Sequence, residues 1–418
     1  MSGSTSWGGA RFPIPLNRLI GRESELALLH DSLASGVRLI TLVGPGGVGK
    51  TRLALEVCAR EADSFPDGAV FVTLEAITHE DYILPEIARG LGVELSGTDA
   101  PSDDLIAALA HKRLLLCVDN WEHLIEDGVQ MVPLLERCPG VQLMATSRAA
   151  LRLRGEQVVW VEPLGLPRSI TLDVETAVAT APAVQLFFER ARAVRSNFRL
   201  DEHNMPAVVE ICILVDGLPL AVELAAALVR LFSPEALLAR MKHSASFAVS
   251  ARSVGVLVGG PRDLPARQQT LHATIDWSYS LLEGEEQRVF RCLAVFAGGC
   301  DLAAAEAVCN LANGAGRALL DILIALVDKS LLRVSQFDGE PRFELLRVIR
   351  DYAEQDLELQ GEVTDACQRH ARHFLELAEQ AARELKGHEH ARWFRRLDKE
   401  QDNFRVMLAR GRFTDGYL

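Results

Sequence analysis

Long apolar runs are missing from this 418-residue chain. Nowhere do 18 or more apolar residues follow one another, and the N-terminal MSGSTSWGGARFPIP has no apolar stretch of the kind a secretion signal carries. Neither a spanning helix nor a secretory leader is expected, so the chain is taken as soluble and cytoplasmic, with no membrane partner. Positive charge is also scarce. Its 44 Lys and Arg stand against 57 Asp and Glu, and the balance of −13 argues against a chain that works by coating nucleic acid. The eight cysteines, Cys58, Cys117, Cys138, Cys212, Cys292, Cys300, Cys309 and Cys367, never form a CxxC pair. Without that spacing, reduced thiols are expected rather than a zinc site or a disulfide framework.

What is plentiful is core-forming material. At 49% hydrophobic and 24% charged residues, a chain of this length has the material for two to four globular domains. The most informative stretch is Arg38 to Leu53, RLITLVGPGGVGKTRL. A short β-branched run, Leu39 to Val43, enters a glycine-rich turn that opens a helical pattern, which is the arrangement of a phosphate-binding loop. Backbone N–H groups of such a turn at a helix N-terminus can all point at phosphate oxygens, where the helix dipole also favours anions. Gly46, Gly47 and Gly49 are the positions where a side chain would obstruct positive φ or close approach to the phosphates. Lys50 supplies a point charge for the β and γ phosphates, and the Thr51 hydroxyl is placed to ligate Mg²⁺. The whole set, Gly44, Pro45, Gly46, Gly47, Val48, Gly49, Lys50 and Thr51 with the adjoining Arg52, is assigned to nucleotide binding.

Around this loop the chain alternates strands and helices. Strands are expected at 69–74, 114–118, 141–145 and 158–161, with helices at 24–33, 53–59, 82–91 and 104–110, so the first domain is an α/β P-loop NTPase with a parallel sheet and helices on both faces. The apolar strand Leu114 to Val118 delivers Asp119 at its C-terminal end, where ligands of such a sheet collect and a carboxylate can hold Mg²⁺ beside Thr51. Arg148, at the end of the next strand, is either a surface arginine or a γ-phosphate contact. Ile20-Gly21-Arg22, before a helix, is by itself compatible with a simple helix-initiating turn. Beyond residue 168 the periodicity turns helical, and two short strand-like runs, 330–334 and 342–346, follow helices in the manner of a winged helix. The expected organisation is a flexible leader, 1–16; the NTPase domain, 17–167; a helical domain, 168–252; a linker, 253–267; a winged-helix domain, 268–360; and a helical tail, 361–418.

In this order the motifs resemble those of signal-transduction ATPases of the STAND class, in the NB-ARC branch, and most of all bacterial LuxR-type regulators. The residues that carry the resemblance are Val118-Asp119-Asn120-Trp121-Glu122-His123, the GLPLA at 217–221 and RQQTLHATIDWSYSLL at 267–282. The resemblance covers about residues 17 to 360. It implies that Ile20, Gly21 and Arg22 line the adenine side of a nucleotide pocket, that Pro219 caps the base or sugar, and that Arg148 senses the γ-phosphate. It also implies ATP or ADP with Mg²⁺ as cofactors, a winged helix that closes over ADP, and self-association in the ATP state.

Two departures qualify that picture. Asn120 stands where the family often has a second acidic residue, and an amide is a poor base, so hydrolysis is expected to be slow or to use Glu122, for which a surface or capping role is equally open. The MHD position of such winged helices falls on Leu345-Leu346-Arg347, without a histidine, and Arg347 is either its replacement or an exposed helix residue. Residues 271–360 carry 15 Asp and Glu against 8 Lys and Arg, a balance of −7, so an intramolecular switch role is expected and DNA is to be reached only through an output domain outside this chain. The expected function is a nucleotide-operated switch, the regulatory module of a transcriptional regulator whose inducer acts through the C-terminal region. The alternatives are a scaffold that does not hydrolyse nucleotide and, from another class, a small-molecule kinase.

Overall fold

The computed structural model describes residues 12–13, 17–77, 79–96, 101–167, 176, 180–244, 271–309, 318–385 and 390–411. Most of the expected leader and all of the expected linker lie outside them. The chain forms two compact units, one of residues up to 212 with Gly217–Glu223, the other of Ile213–Asp216 with Leu224–Leu418.

The first unit is built on five parallel strands, β1 (Leu39–Val43), β2 (Ala69–Thr73), β3 (Leu114–Asp119), β4 (Val141–Ser147) and β5 (Glu156–Trp160), in the order β2-β3-β4-β1-β5. β1, β3 and β4 are buried at every position, as near-continuous apolar runs require when a parallel sheet is covered on both faces. Helices α1 (Glu23–Ala34), α2 (Lys50–Glu61), α3 (Ile83–Leu91), α4 (Pro101–Leu109) and α5 (Val132–Arg137) connect or precede the strands. Register aligns the strand ends that matter. Val43 lies opposite Ser147, and Thr73 opposite Asp119, so the β1, β4 and β3 C-termini form one edge. β4 sits between the strand of the phosphate loop and the strand of Asp119. Three helices follow, α6 (Pro182–Val194), α7 (Met205–Leu214) and α8 (Pro219–Ala227). Asp216 and Gly217 between α7 and α8 both take the left-handed conformation, at φ 52° and 64°.

In the second unit α9 (Pro234–Ser244) is followed by α10 (Leu271–Ser280), α11 (Gly284–Leu293), α12 (Leu302–Cys309), α13 (Leu319–Asp328), the antiparallel pair β6 (Arg333–Phe337) and β7 (Glu340–Glu344), and α14 (Arg347–Leu359). Of these, α11, α12 and α13 with the hairpin and the closing α14 make a winged helix. A capping box, Glu283 with Glu286, starts α11. The hairpin sits closer to its turn than the runs at 330–334 and 342–346 suggest. Asp338-Gly339, at φ 51° and 85°, forms the two-residue turn that sets its register, and Phe337 pairs with Glu340 across it. The tail consists of α15 (Val363–Glu384), α16 (His390–Lys399) and α17 (Gln401–Gly411). It is fastened to β7 by a buried fork in which Arg342 donates to both carboxylate oxygens of Glu400 at 2.5 and 3.0 Å and to Gly298 O at 2.7 Å.

Candidate nucleotide site

The phosphate loop leaves β1 and ends on Lys50, the first residue of α2, with Gly49 as N-cap at φ 97°. Positive φ occurs at Gly47 and Gly49 but not at Gly46 or Gly44, so the conformational demand falls on two of the four loop glycines. Gly44 is needed for another reason, because a Cβ there would lie 2.6 Å from Val161 O. A Cβ on Gly47 would meet Leu220 Cβ at 2.9 Å, and Leu220 N donates to Gly47 O at 3.1 Å. Through that bond the GLPL segment is seated directly on the phosphate loop. Pro219, the first residue of α8, is partly exposed beside this contact.

Lys50 is 8% exposed and folds back on its own loop, donating to Gly44 O at 2.7 Å and Pro45 O at 3.2 Å. Burial brings its ammonium down to about 8 from the usual lysine range, with Arg148 adding to the effect while Glu122 and Asp119 oppose it. Asp119 Oδ1 accepts from Thr51 Oγ1 at 2.8 Å and from Thr146 Oγ1 at 2.6 Å. Burial pushes its carboxyl above the usual range, against the pull of the two hydroxyls. Thr51 and Asp119, 68 positions apart in sequence, therefore meet as the motif spacing predicts. Arg148 Nε donates to Glu122 Oε1 at 3.1 Å, with both side chains less than a tenth exposed. The carboxylate named as an alternative base is thus engaged by the arginine named as the sensor.

Of the remaining candidates, Arg22 touches the loop and the others are held elsewhere. Arg22, 3% exposed, donates to Val48 O at 2.9 Å, to Glu162 O at 2.6 Å and to Glu25. It holds the outside of the phosphate loop through a carbonyl, a role that the sequence does not display. Ile20 is buried, and Gly21, at φ 63°, packs so tightly that a Cβ would meet Pro182 at 2.2 Å. Arg52 turns to Glu56 at 3.2 Å and to Asn17 O. Trp121 is wholly buried and donates to Leu124 O, and His123 Nε2 lies 2.6 Å from Ile77 O. A side chain missed by the sequence reading is Asp216, in the second unit. It accepts from the backbone N–H of Arg347 and so caps α14 at the MHD position. Leu345 and Leu346 are buried there, and Arg347 starts the helix.

Comparison with known proteins follows the same division. Residues 33–156 match the AAA domain, and residues 282–358 match the winged helix-turn-helix domain. The uncharacterized protein Rv0894 of Mycobacterium tuberculosis is 35% identical over 360 residues, which are 86% of each chain. This chain belongs to its family. The putative HTH-type transcriptional regulator Rv0890c of the same organism is 38% identical over 89% of this chain and 39% of its own length. The regulatory protein AfsR of Streptomyces coelicolor is 29% identical over 82% of this chain and 33% of its own. The chain therefore spans about two fifths or less of the length of these two regulators. It is an ATPase-type P-loop module with a winged helix-turn-helix domain, homologous to transcriptional regulators. The expectation that DNA is reached only through a domain outside this chain is corrected, because a winged helix-turn-helix lies within it. Among the described residues no helix is long and apolar enough to cross a membrane, and all eight cysteines are free.

Proposed function

We propose that the chain is an ATP- and ADP-binding switch of the STAND and NB-ARC kind, the regulatory module of a cytoplasmic transcriptional regulator. The single observation that carries this reading is the convergence of Lys50, Thr51, Asp119 and the Arg148–Glu122 pair on one sheet edge, with the GLPL segment bonded to the loop at Gly47. A Mg²⁺ nucleotide fits this donor set: an ammonium and loop amides for phosphate oxygens, a hydroxyl and a carboxylate for the metal, and a guanidinium at the far edge. Bound Mg²⁺ would neutralise phosphate charge there.

The chain's own residues account for slow turnover. Asn120 cannot take a proton and Glu122 is held by Arg148, so neither of these two side chains stands ready as a strong base. Exchange of ADP for ATP, rather than rapid hydrolysis, then sets the state. Release of Glu122 is favoured where the arginine finds a phosphate instead, which gives the γ-phosphate a route to the conformation of residues 119–123. The winged helix-turn-helix is the segment through which DNA would be met. With 15 acidic against 8 basic residues over 271–360, its grip on phosphates has to come from a few local cations.

The test is nucleotide content. Wild-type chain denatured after purification is expected to release ADP or ATP, and Lys50→Ala is expected to release none and to bind an ATP analogue at least tenfold more weakly. Equal retention by the variant would overturn the reading.

A further inference from the structure

Of the five residues Asp119-Asn120-Trp121-Glu122-His123, four have a described partner for their side chains. Asp119 accepts from two hydroxyls, the Trp121 indole donates to Leu124 O, Glu122 pairs with Arg148, and His123 meets Ile77 O through Nε2, although its Nδ1 is buried with no partner. Asn120 does not. Its Nδ2 is buried with no hydrogen-bond partner, although the residue is only 8% exposed. An amide N–H₂ left unpaired in a protein interior is costly, and native structures carry few of them. The backbone at Asn120 is also held in the left-handed region, at φ 68°, directly after β3, and its N–H is anchored to Thr146 Oγ1 at 3.0 Å. That same hydroxyl donates to Asp119. An unusual backbone conformation, an anchored N–H and an orphaned donor thus coincide at one residue beside the carboxylate. Strain of this kind persists where the surroundings over-determine it, and it collects at ligand sites.

We infer that the Asn120 side-chain amide is a hydrogen-bond donor to the terminal phosphate of a bound nucleoside triphosphate, and so makes the site prefer ATP over ADP. The inference rests on the switch reading above. It replaces the view of Asn120 as merely a lost base: an acidic side chain there would present only acceptors to an anion, whereas the amide presents two N–H groups. Position favours the terminal phosphate. Asn120 lies one residue beyond Asp119, at the sheet edge where ligands of a parallel sheet collect, and in sequence between Asp119, which accepts from Thr51, and Glu122, which pairs with Arg148.

The test compares affinities for a non-hydrolysable ATP analogue with Mg²⁺ and for ADP in wild-type chain, Asn120→Gly, Asn120→Asp and Lys50→Ala. Glycine keeps the left-handed backbone and removes the donor; aspartate keeps the shape and replaces donors with a negative charge. Asn120→Gly is expected to weaken the ATP analogue about tenfold while ADP stays within twofold, and Asn120→Asp to weaken the analogue further. Circular dichroism of the apo variants checks that the fold is kept. Equal losses for both nucleotides, or none for either, would overturn the role of Asn120 alone. Failure of the wild type to bind either nucleotide better than Lys50→Ala would overturn this role together with the switch reading.

Discussion

At the scale of single residues, the charged groups of the site are each engaged within the protein, Lys50 by loop carbonyls, Asp119 by two hydroxyls and Arg148 by Glu122. Lys50 gives its protons to Gly44 O and Pro45 O, and burial has brought it to about 8. Phosphate contact favours the ammonium, so binding takes up a proton wherever the free site has lost one. Affinity is therefore expected to be flat below pH 8 and to weaken above it by up to tenfold per pH unit, measured by titration of a fluorescent ADP between pH 6.5 and 9.5. A flat profile across that range would mean that Lys50 does not face the phosphates. The same lysine shows how far sequence carries. Lys50, Thr51 and Asp119 are legible because their chemistry is tied to a local motif on a strand end. The bonds from Arg22 to Val48 O and from Arg148 to Glu122 are not, since each joins residues 26 apart through the fold, and an arginine is equally at home in water.

At the scale of elements, two segments that look like linkers turn out to be clasps. The GLPL turn bonds to Gly47 through Leu220, and Gly217 sits where a Cβ would meet Leu164 O at 2.3 Å. Immediately before it, Asp216 caps α14 from another part of the chain. Removing that cap in Asp216→Ala is expected to cost about 1 kcal/mol in denaturant unfolding of the second unit. Burial raises the Asp216 carboxyl to about 6, against its hydrogen bonds to the α14 backbone. A carboxyl raised on folding binds its proton more tightly in the native state. Stability should therefore fall as pH rises from about 4 to about 6, and Asp216→Asn should flatten that part of the profile. Strand and helix positions in this chain are mostly legible in its periodicity, but those of the wing are not. There Asp338-Gly339 outweighed the apolar runs flanking it, because a two-residue turn dictates register while hydrophobicity only selects a face.

At the scale of the whole molecule, a P-loop ATPase module and a winged helix-turn-helix domain share one chain in a family related to transcriptional regulators. Composition argues against a nucleic-acid coat and motif order suggests a switch, while the winged helix-turn-helix match puts the candidate DNA contact inside the chain. Charge summed over a domain says little about where its few cations stand. The measurement closest to the central claim is the mass of residues 1–418 by light scattering, first with ADP and then with a non-hydrolysable ATP analogue and Mg²⁺. A nucleotide-operated switch predicts a monomer with ADP that enlarges with the analogue, and no enlargement for Lys50→Ala. One mass in all nucleotide states, with nucleotide demonstrably bound, would contradict it.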